Sequence, residues 1–282
     1  MKTKLSILFL STLAVAAFFF SCTKNTTPPQ HKPTDSGMTD SVNLKKGLLL
    51  YLPFSGSIAD SSGNNNPTAF VNGASLGYDE HGYANNAFGS DGTNRIVQVT
   101  NNGSIRFDTA LSISLDFMTM DANHLHTYLS MVDWATGNGP SFSFGQCMSS
   151  DWSVFDYAFA DVTGGCDNST EGNTKTMNDT TSFKPVFGRW YNVVVIYRPG
   201  LIKFYLNGRL YSSKTGTSTA INFCPASKIN VGGWWISDPG NINGAVDNVR
   251  MYNRVLNAQE ITALATNYQV TSNRQKPALQ SN

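Results

Sequence analysis

Apolar positions are densest between Trp190 and Tyr252, and their spacing there is that of strands. Trp190 to Tyr197 is a nearly unbroken apolar run that includes Val193, Val194, Val195 and Ile196, which predicts a strand buried on both faces. Pro199-Gly200 follows. Proline presets φ at the first central position of a type II turn, and glycine supplies the positive φ at the second. A second strand, Leu201 to Leu206, ends at Asn207-Gly208, the pair that suits a two-residue type I′ hairpin because both central residues need positive φ. The chain returns as Arg209 to Lys214. This stretch predicts a three-stranded antiparallel meander at the heart of an all-β domain.

Elsewhere the pattern alternates. Ile113, Leu115 and Phe117 point one way and Ser112, Ser114 and Asp116 the other, which predicts a strand from Leu111 to Phe117 with one wet face. Leu48 to Phe54, Ile96 to Val99, Tyr128 to Trp134, Ser141 to Phe144, Val154 to Phe159 and Ala245 to Tyr252 extend the series. With the meander this makes about ten to thirteen strands, enough for two stacked sheets. One helix is predicted near the end. Asn257 and Glu260 form an Asn variant of the capping box, with Leu256 and Ile261 at the hydrophobic-staple positions. Ile261, Leu264, Ala265 and Tyr268 then make a buried stripe at helical spacing.

The ends of the chain read differently. Residues 1–21 carry Lys2 and Lys4 and then the apolar stretch Leu5 to Phe20, the layout of a secretion signal. Ending in Phe-Phe-Ser-Cys, this stretch resembles a bacterial lipobox, which makes Cys22 the lipid acceptor and the new N-terminus; the alternative is an ordinary signal peptide. Acyl chains contribute about 0.8 kcal/mol per buried CH₂, so two or more anchor a protein stably. Residues 22–46 are rich in Thr, Ser and Pro and nearly empty of large apolar groups, which predicts a disordered tether. As a coil its r.m.s. span is about 25–30 Å. The domain itself is assigned to residues 47–269, and residues 270–282 form a polar tail.

Composition adds limits. The chain has 282 residues, 14% of them charged, with 24 Gly and 17 Phe, which suits one large all-β domain of ~200–250 residues. Removing Lys2 and Lys4 with the leader leaves 18 basic against 19 acidic residues. With no basic run or patch, nucleic acid is excluded as the expected partner.

Several motifs carry a resemblance. The meander WYNVVV…IKFYLNG, the following GAVDNVRMYNRVLNAQEI, the opening GLLLYLPFSGSIADSSGN from Gly47 and FGSDGTN from Phe88 resemble, in order, the LamG-like jelly roll of the laminin G and concanavalin A-like lectin/glucanase superfamily. The resemblance implies an all-β, two-sheet antiparallel jelly-roll sandwich closed by a short C-terminal helix, with the first and last strands side by side. Related jelly rolls hold a structural Ca²⁺ there, which points to Asp60 and Asp247 as ligands and Asn72 as a further oxygen donor. Calcium takes six to eight oxygens. The other reading of Asp60 is an Asx-turn residue, and of Asp247 a strand-end charge.

With Cys22 lipidated, Cys147, Cys166 and Cys224 remain, an odd number for an oxidising compartment. Cys147–Cys166 is the preferred bridge because the two flank a hairpin, worth ~3 kcal/mol by chain entropy. Cys166–Cys224 competes with it, as do three buried thiols. Sugar recognition needs an apolar face edged by polar groups. Trp134, Trp152, Trp234 and Trp235 stand at predicted loop ends beside Asp133, Asp151, Asp156 and Asp238; Trp190 is assigned to the core. Packing is the alternative role for each Trp. Catalysis is not expected. Glycoside hydrolysis needs a carboxylate pair roughly 5–9 Å apart, whereas Glu80, Glu171 and Glu260 are isolated in sequence. Asp116/Asp121 and Asp156/Asp161 are five apart, so the members of each pair face opposite sides of a strand. His124 and His126 are read as loop histidines. The expectation is a lipid-anchored cell-envelope protein, at the outer membrane, that binds a carbohydrate (glycan or polysaccharide). The alternatives are an adhesion protein with a protein or matrix partner, and a divergent glycoside hydrolase or polysaccharide lyase.

Overall fold

The computed structural model describes residues 42–107, 109–122, 125–133, 138–146, 153–160, 166, 176–215, 221–234 and 241–269. Among these residues the chain forms fifteen strands and one helix. In order they are β1 (Leu48–Leu52), β2 (Thr68–Val71), β3 (Ser75–Tyr78), β4 (Ala84–Asp91), β5 (Ile96–Val99), β6 (Leu111–Thr119), β7 (His126–Asp133) and β8 (Asn138–Gln146). The series continues with β9 (Asp156–Ala160), β10 (Thr176–Thr180), β11 (Trp190–Arg198), β12 (Leu201–Leu206), β13 (Arg209–Thr215), β14 (Ile229–Val231), β15 (Asn243–Tyr252) and α1 (Ala258–Gln269). An eight-stranded sheet runs β13-β12-β11-β6-β15-β4-β3, and β1 also pairs β15. A seven-stranded sheet runs β10-β9-β8-β7-β14-β5-β2. The two sheets make an antiparallel jelly-roll sandwich.

The meander forms as its turn chemistry predicts. Gly200 has φ 74°, and Asn207 and Gly208 have φ 48° and 78°, so both central residues of the β12–β13 turn are left-handed. The core lies between the sheets. Ile113, Leu115, Phe117, Val193 and Val195 enter it from the larger sheet and Leu129, Met131, Phe142, Phe144, Ile229 and Val231 from the smaller. Phe117 sits at the crossing, with ring centroids 4.5 Å from Tyr128, 5.1 Å from Phe155 and 5.8 Å from Tyr191. Fully burying such a side chain contributes roughly 1.5–3 kcal/mol.

The first and last strands are neighbours, with Tyr51 opposite Arg250 and Leu52 opposite Val249. The helix cap is also as predicted. Glu260 N–H donates to Asn257 Oδ1 and Asn257 N–H donates to Glu260 Oε2, each at 2.9 Å. Leu256, Ile261 and Leu264 pack with Val194, Ile196, Tyr252 and Leu44 into a second apolar cluster on the outer face of the larger sheet. Two expectations change here. Residues 42–46 belong to the domain rather than the tether, because Leu44 is buried under α1 and Asn43 C=O accepts from Arg254 at 3.0 Å. The outer face of β6 is not wet: Ser112, Ser114 and Asp116 are all buried. Ser112 lies beneath the approach to α1, donating to Arg254 C=O at 2.6 Å and accepting from Leu256 N–H at 3.2 Å.

The disulfide joins Cys166 to Cys224, with Cα atoms 5.4 Å apart and 58 residues between them in sequence. The preferred Cys147–Cys166 pairing is therefore corrected. Cys224 is buried and its N–H donates to Ser141 Oγ in β8 at 3.2 Å. That long-range docking carries it to Cys166, which local spacing does not reveal. A loop of this length stabilises by about 4 kcal/mol in the chain-entropy model. Cys147 lies outside the described residues.

Candidate functional site

Of the sequence-predicted aromatics, Trp134, Trp152 and Trp235 lie outside the described residues, as do Cys22, His124, Asp161 and Glu171. Trp234 is half-buried and follows β14. Its backbone is pinned from below: its carbonyl accepts from Ser130 Oγ at 2.6 Å and from Asn230 Nδ2 at 3.1 Å.

Calcium does not fit the donors at Asp60 and Asp247. Asp60 Oδ1 accepts from Tyr51 and Ser62 N–H at 3.1 and 2.9 Å. Its Oδ2 accepts from Asn66 N–H and Nδ2 at 3.0 and 2.8 Å. Four N–H groups already point at these oxygens, where a cation needs the same lone pairs. Burial alone would raise the Asp60 carboxyl, but the Ser62 and Asn66 donors outweigh it and hold it below the ordinary carboxylate value. Asp60 is the organiser of its own loop. Asp247 accepts from Asn248 N–H at 2.7 Å and from Asn248 Nδ2 at 3.3 Å. Asn72 occupies the β2–β3 turn with φ 56°. Among the described residues no group of three or more His, Cys, Asp or Glu is arranged to hold a metal.

A different constellation occupies the outer face of the larger sheet. Asp116 lies between Asn192 on β11 and Asp247 on β15, its direct partners in register. A bulge in β15 between Asp247 and Arg250, with Asn248 at φ 51°, turns Asn248 onto the same side. Bulges re-aim side chains in this way. Asn192 Nδ2 donates to Asp116 Oδ1 at 2.7 Å and Asn248 Nδ2 to Asp116 Oδ2 at 2.8 Å. Asn192 Oδ1 is buried without a hydrogen-bond partner. Glu80, from the β3–β4 turn, brings a further carboxylate near. Burial first, and the charge of Glu80 second, push the Asp116 carboxyl up to about 7, against the pull of the two amides and Arg250. Glu80 is thus isolated in sequence but not in space.

One row toward the strand ends, the same face carries Trp190 opposite Met118, Met118 opposite Ala245, Ala245 opposite Gly89 and Gly89 opposite Ser75. Trp190 and Met118 are half-buried, and Ser75 is exposed. Trp190 is therefore corrected from core to outer face: Tyr191, Val193 and Val195 take the inward positions of β11. Beyond this row stand exposed Met120, Val186 and Phe187. Gly188 N–H donates to Thr119 C=O at 2.8 Å and Met120 N–H to Asn243 C=O at 2.9 Å, which tie these loops to one rim.

His126 is also corrected. It opens β7 and is fully buried. Its Nδ1 accepts from Asn243 N–H at 3.2 Å, so the proton sits on Nε2 and is donated to Asp121 Oδ1 at 3.1 Å. Asn243 Nδ2 donates to Asp121 Oδ2 at 2.6 Å. This set joins the two sheets at the rim. The sequence signal that could have found the outer-face cluster was the run of polar residues opposite the core face of β6.

The family described as Concanavalin A-like lectin/glucanases superfamily (Laminin_G_3) matches residues 91–262, and the chain belongs to it. A search of curated proteins finds no match. Among solved structures, domain 4 of AbnA, a GH43 extracellular arabinanase from Geobacillus stearothermophilus, in complex with arabinotriose, is similar with a TM-score of 0.58 and 19% identity; 77% of this chain and 98% of that domain are covered. The botulinum neurotoxin serotype G binding domain is similar with a TM-score of 0.59 and 17% identity, covering 81% of this chain and 53% of that one. The serotype D ligand binding domain in complex with N-acetylneuraminic acid gives 0.55 and 14%, covering 79% and 51%. The chain thus spans about half the length of these neurotoxin domains. At such identities the likeness establishes the fold.

Proposed function

We propose that this domain binds carbohydrate, and that the binding face is the outer face of the eight-stranded sheet around Trp190. The observation that carries the reading is a half-buried indole one row from a buried group of carboxylates and amides. An apolar face edged by a few convergent polar groups is what a sugar ring requires. The arabinanase domain, similar over nearly its whole length, was solved with arabinotriose, which supports the ligand class. Trp234, held on a rigid backbone, is a second aromatic of the same kind on the other sheet. The Phe-Phe-Ser-Cys end of the leader supports display from a lipid on Cys22 at the cell envelope. The test is a glycan array probed with the full chain in detergent. Retention on at least one neutral oligosaccharide is expected; a folded protein that binds none overturns the reading.

A further inference from the structure

The chain enters the domain at one end of the larger sheet, and the Trp190 row lies toward the other. Asn253 N–H donates to Gly47 C=O at 3.0 Å, which sets the start of β1 beside the end of β15. The far end of β15 is Asn243, whose C=O accepts from Met120 N–H in the rim loops at 2.9 Å. The ten residues of β15 separate these two ends, a length of roughly 33 Å at the usual strand rise. Trp190, Met118 and Ala245 form their row near the Asn243 end.

From its start, β1 is bonded along both edges. On one edge it pairs antiparallel with β15, Leu50 opposite Met251 and Leu52 opposite Val249. On the other edge, the loop that follows it supplies the partners. Leu49 C=O accepts from Asn64 Nδ2 at 3.0 Å and from Asn66 Nδ2 at 3.2 Å. Tyr51 N–H donates to Asp60 Oδ1 at 3.1 Å, and Tyr51 C=O accepts from Ser61 N–H at 2.7 Å. The loop is fastened in turn to the segment after β5. Asn102 Nδ2 donates to Asn64 C=O at 2.8 Å, and Ser104 Oγ donates to Asn66 Oδ1 at 3.0 Å. Because β5 belongs to the smaller sheet, a pull on β1 is shared by both sheets. Ahead of β1, Arg254 grips Lys46 C=O at 2.7 Å and Asn43 C=O at 3.0 Å.

The direction of a force decides what these bonds withstand. A pull along β1 loads them in shear, so that they must give way together. A pull that parts the start of β1 from the end of β15 opens the pair one bond at a time. Forced unfolding is governed by the barrier to unfolding rather than by equilibrium stability, and breaking several bonds at once is the higher barrier.

We propose that β1 is a mechanical coupling, carrying tension in shear from the N-terminal tether to a ligand held at the Trp190 end. The partner that suits such a coupling is an immobilised polymer, which can pull, and not a freely diffusing sugar. The inference rests on the carbohydrate reading and the Cys22 anchor above, and goes beyond them in giving the domain a mechanical role.

Single-molecule force spectroscopy on the full chain tests it, with azide-bearing residues as handles. One handle is Thr27→p-azidophenylalanine in the tether. The second is either Phe187→p-azidophenylalanine, at the exposed rim, or Asn282→p-azidophenylalanine, beyond β15 and α1. The first arrangement pulls along β1; the second parts β1 from β15 at their shared end. The unfolding force should be at least about twofold higher in the first arrangement. Asn64→Ala should lower that force and leave the second nearly unchanged, because only a pull along β1 loads the loop bonds. Should that variant fail to fold, the two arrangements of the parent carry the test. Equal forces in both, or a lower force along β1, overturn the proposal. No sugar enters the measurement, so its failure is separate from that of the glycan array.

Discussion

Two polar groups are buried against the outer face of the same sheet, and they are built in opposite ways. Under α1, Arg254 and Glu260 face each other with two bonds of 2.7 Å, and Arg254 also donates to Lys46 C=O at 2.7 Å and Asn43 C=O at 3.0 Å. The Asn257 cap completes Glu260. Burial would raise the Glu260 carboxyl, but Arg254 and the Asn257 N–H outweigh it and it lies below the ordinary value. At Asp116 the balance is reversed: burial and Glu80 win, and the carboxyl is pushed up to about 7. A charge pair whose lone pairs and protons are matched serves the fold. A cluster in which burial outweighs the bonds to Asp116, and in which Asn192 Oδ1 lacks a hydrogen-bond partner, costs the fold free energy.

Breaking the matched pair should have the largest effect. Arg254→Ala leaves Glu260 buried without its partner, and removing one member of such a pair costs about 3–5 kcal/mol at full burial. Arg254 is 20% exposed, so about 3 kcal/mol is expected, read as a lower urea midpoint at constant slope. A loss under about 1 kcal/mol would show the pair to be an ordinary surface bridge.

Asp116 should behave in the reverse sense. Asp116 is raised in the folded state, so the folded protein holds its proton between pH 4 and about 7 while the unfolded chain releases it. Its contribution to stability is fully present below pH 4 and is lost as pH rises to about 7. Asp116→Asn should flatten the fall in Tm between pH 5 and 8 and leave the variant at least as stable as the parent at pH 8. A variant that unfolds more readily at pH 8 would mean that the ionised carboxylate is structural. Asp60 and Glu260 have depressed values, so their contribution is present above the ordinary carboxylate pKa and is lost as pH falls below it. The two windows do not overlap.

Asp60→Ala strands four N–H donors of its loop and should cost about 1–3 kcal/mol, the usual penalty for unsatisfied buried groups. EDTA should leave the Tm of the parent unchanged, since those donors occupy the oxygens that calcium would need; a fall of several degrees would restore the metal reading. The smallest effect on stability belongs to Gly89→Ala. A Cβ there meets nothing closer than 3.6 Å and needs no positive φ, so stability should move by under about 0.5 kcal/mol. Affinity for a glycan lying across that row should nevertheless fall.

What was legible in the sequence was what is local. Pro199-Gly200 and Asn207-Gly208 prescribe turn geometry within four residues, and Asn257 with Glu260 prescribes a cap within one helical turn. The four-residue strands β2 and β3 escaped because their half-exposed patterns, such as that of Thr68–Val71, carry no clear alternation. Asp116, Asn192 and Asp247 escaped for a topological reason. Three strands distant in sequence become neighbours only through the β11-β6-β15 pairing, and a bulge then adds Asn248. Period-two alternation correctly set Asp116 opposite the core, but it could not tell a wet face from one roofed by a turn. Trp190 was misread because it begins an apolar run, although alternation from Tyr191 already pointed it outward.

The most direct measurement titrates the full chain, its Trp190→Ala variant and its Trp234→Ala variant with the tightest neutral oligosaccharide found, by calorimetry, with Tm as the folding control. Loss of at least about tenfold in affinity on Trp190→Ala, with Tm retained, is the predicted result, the size expected of an aromatic anchor. Undiminished affinity in a folded Trp190→Ala, with the loss appearing instead in Trp234→Ala, would contradict the assignment of the outer face.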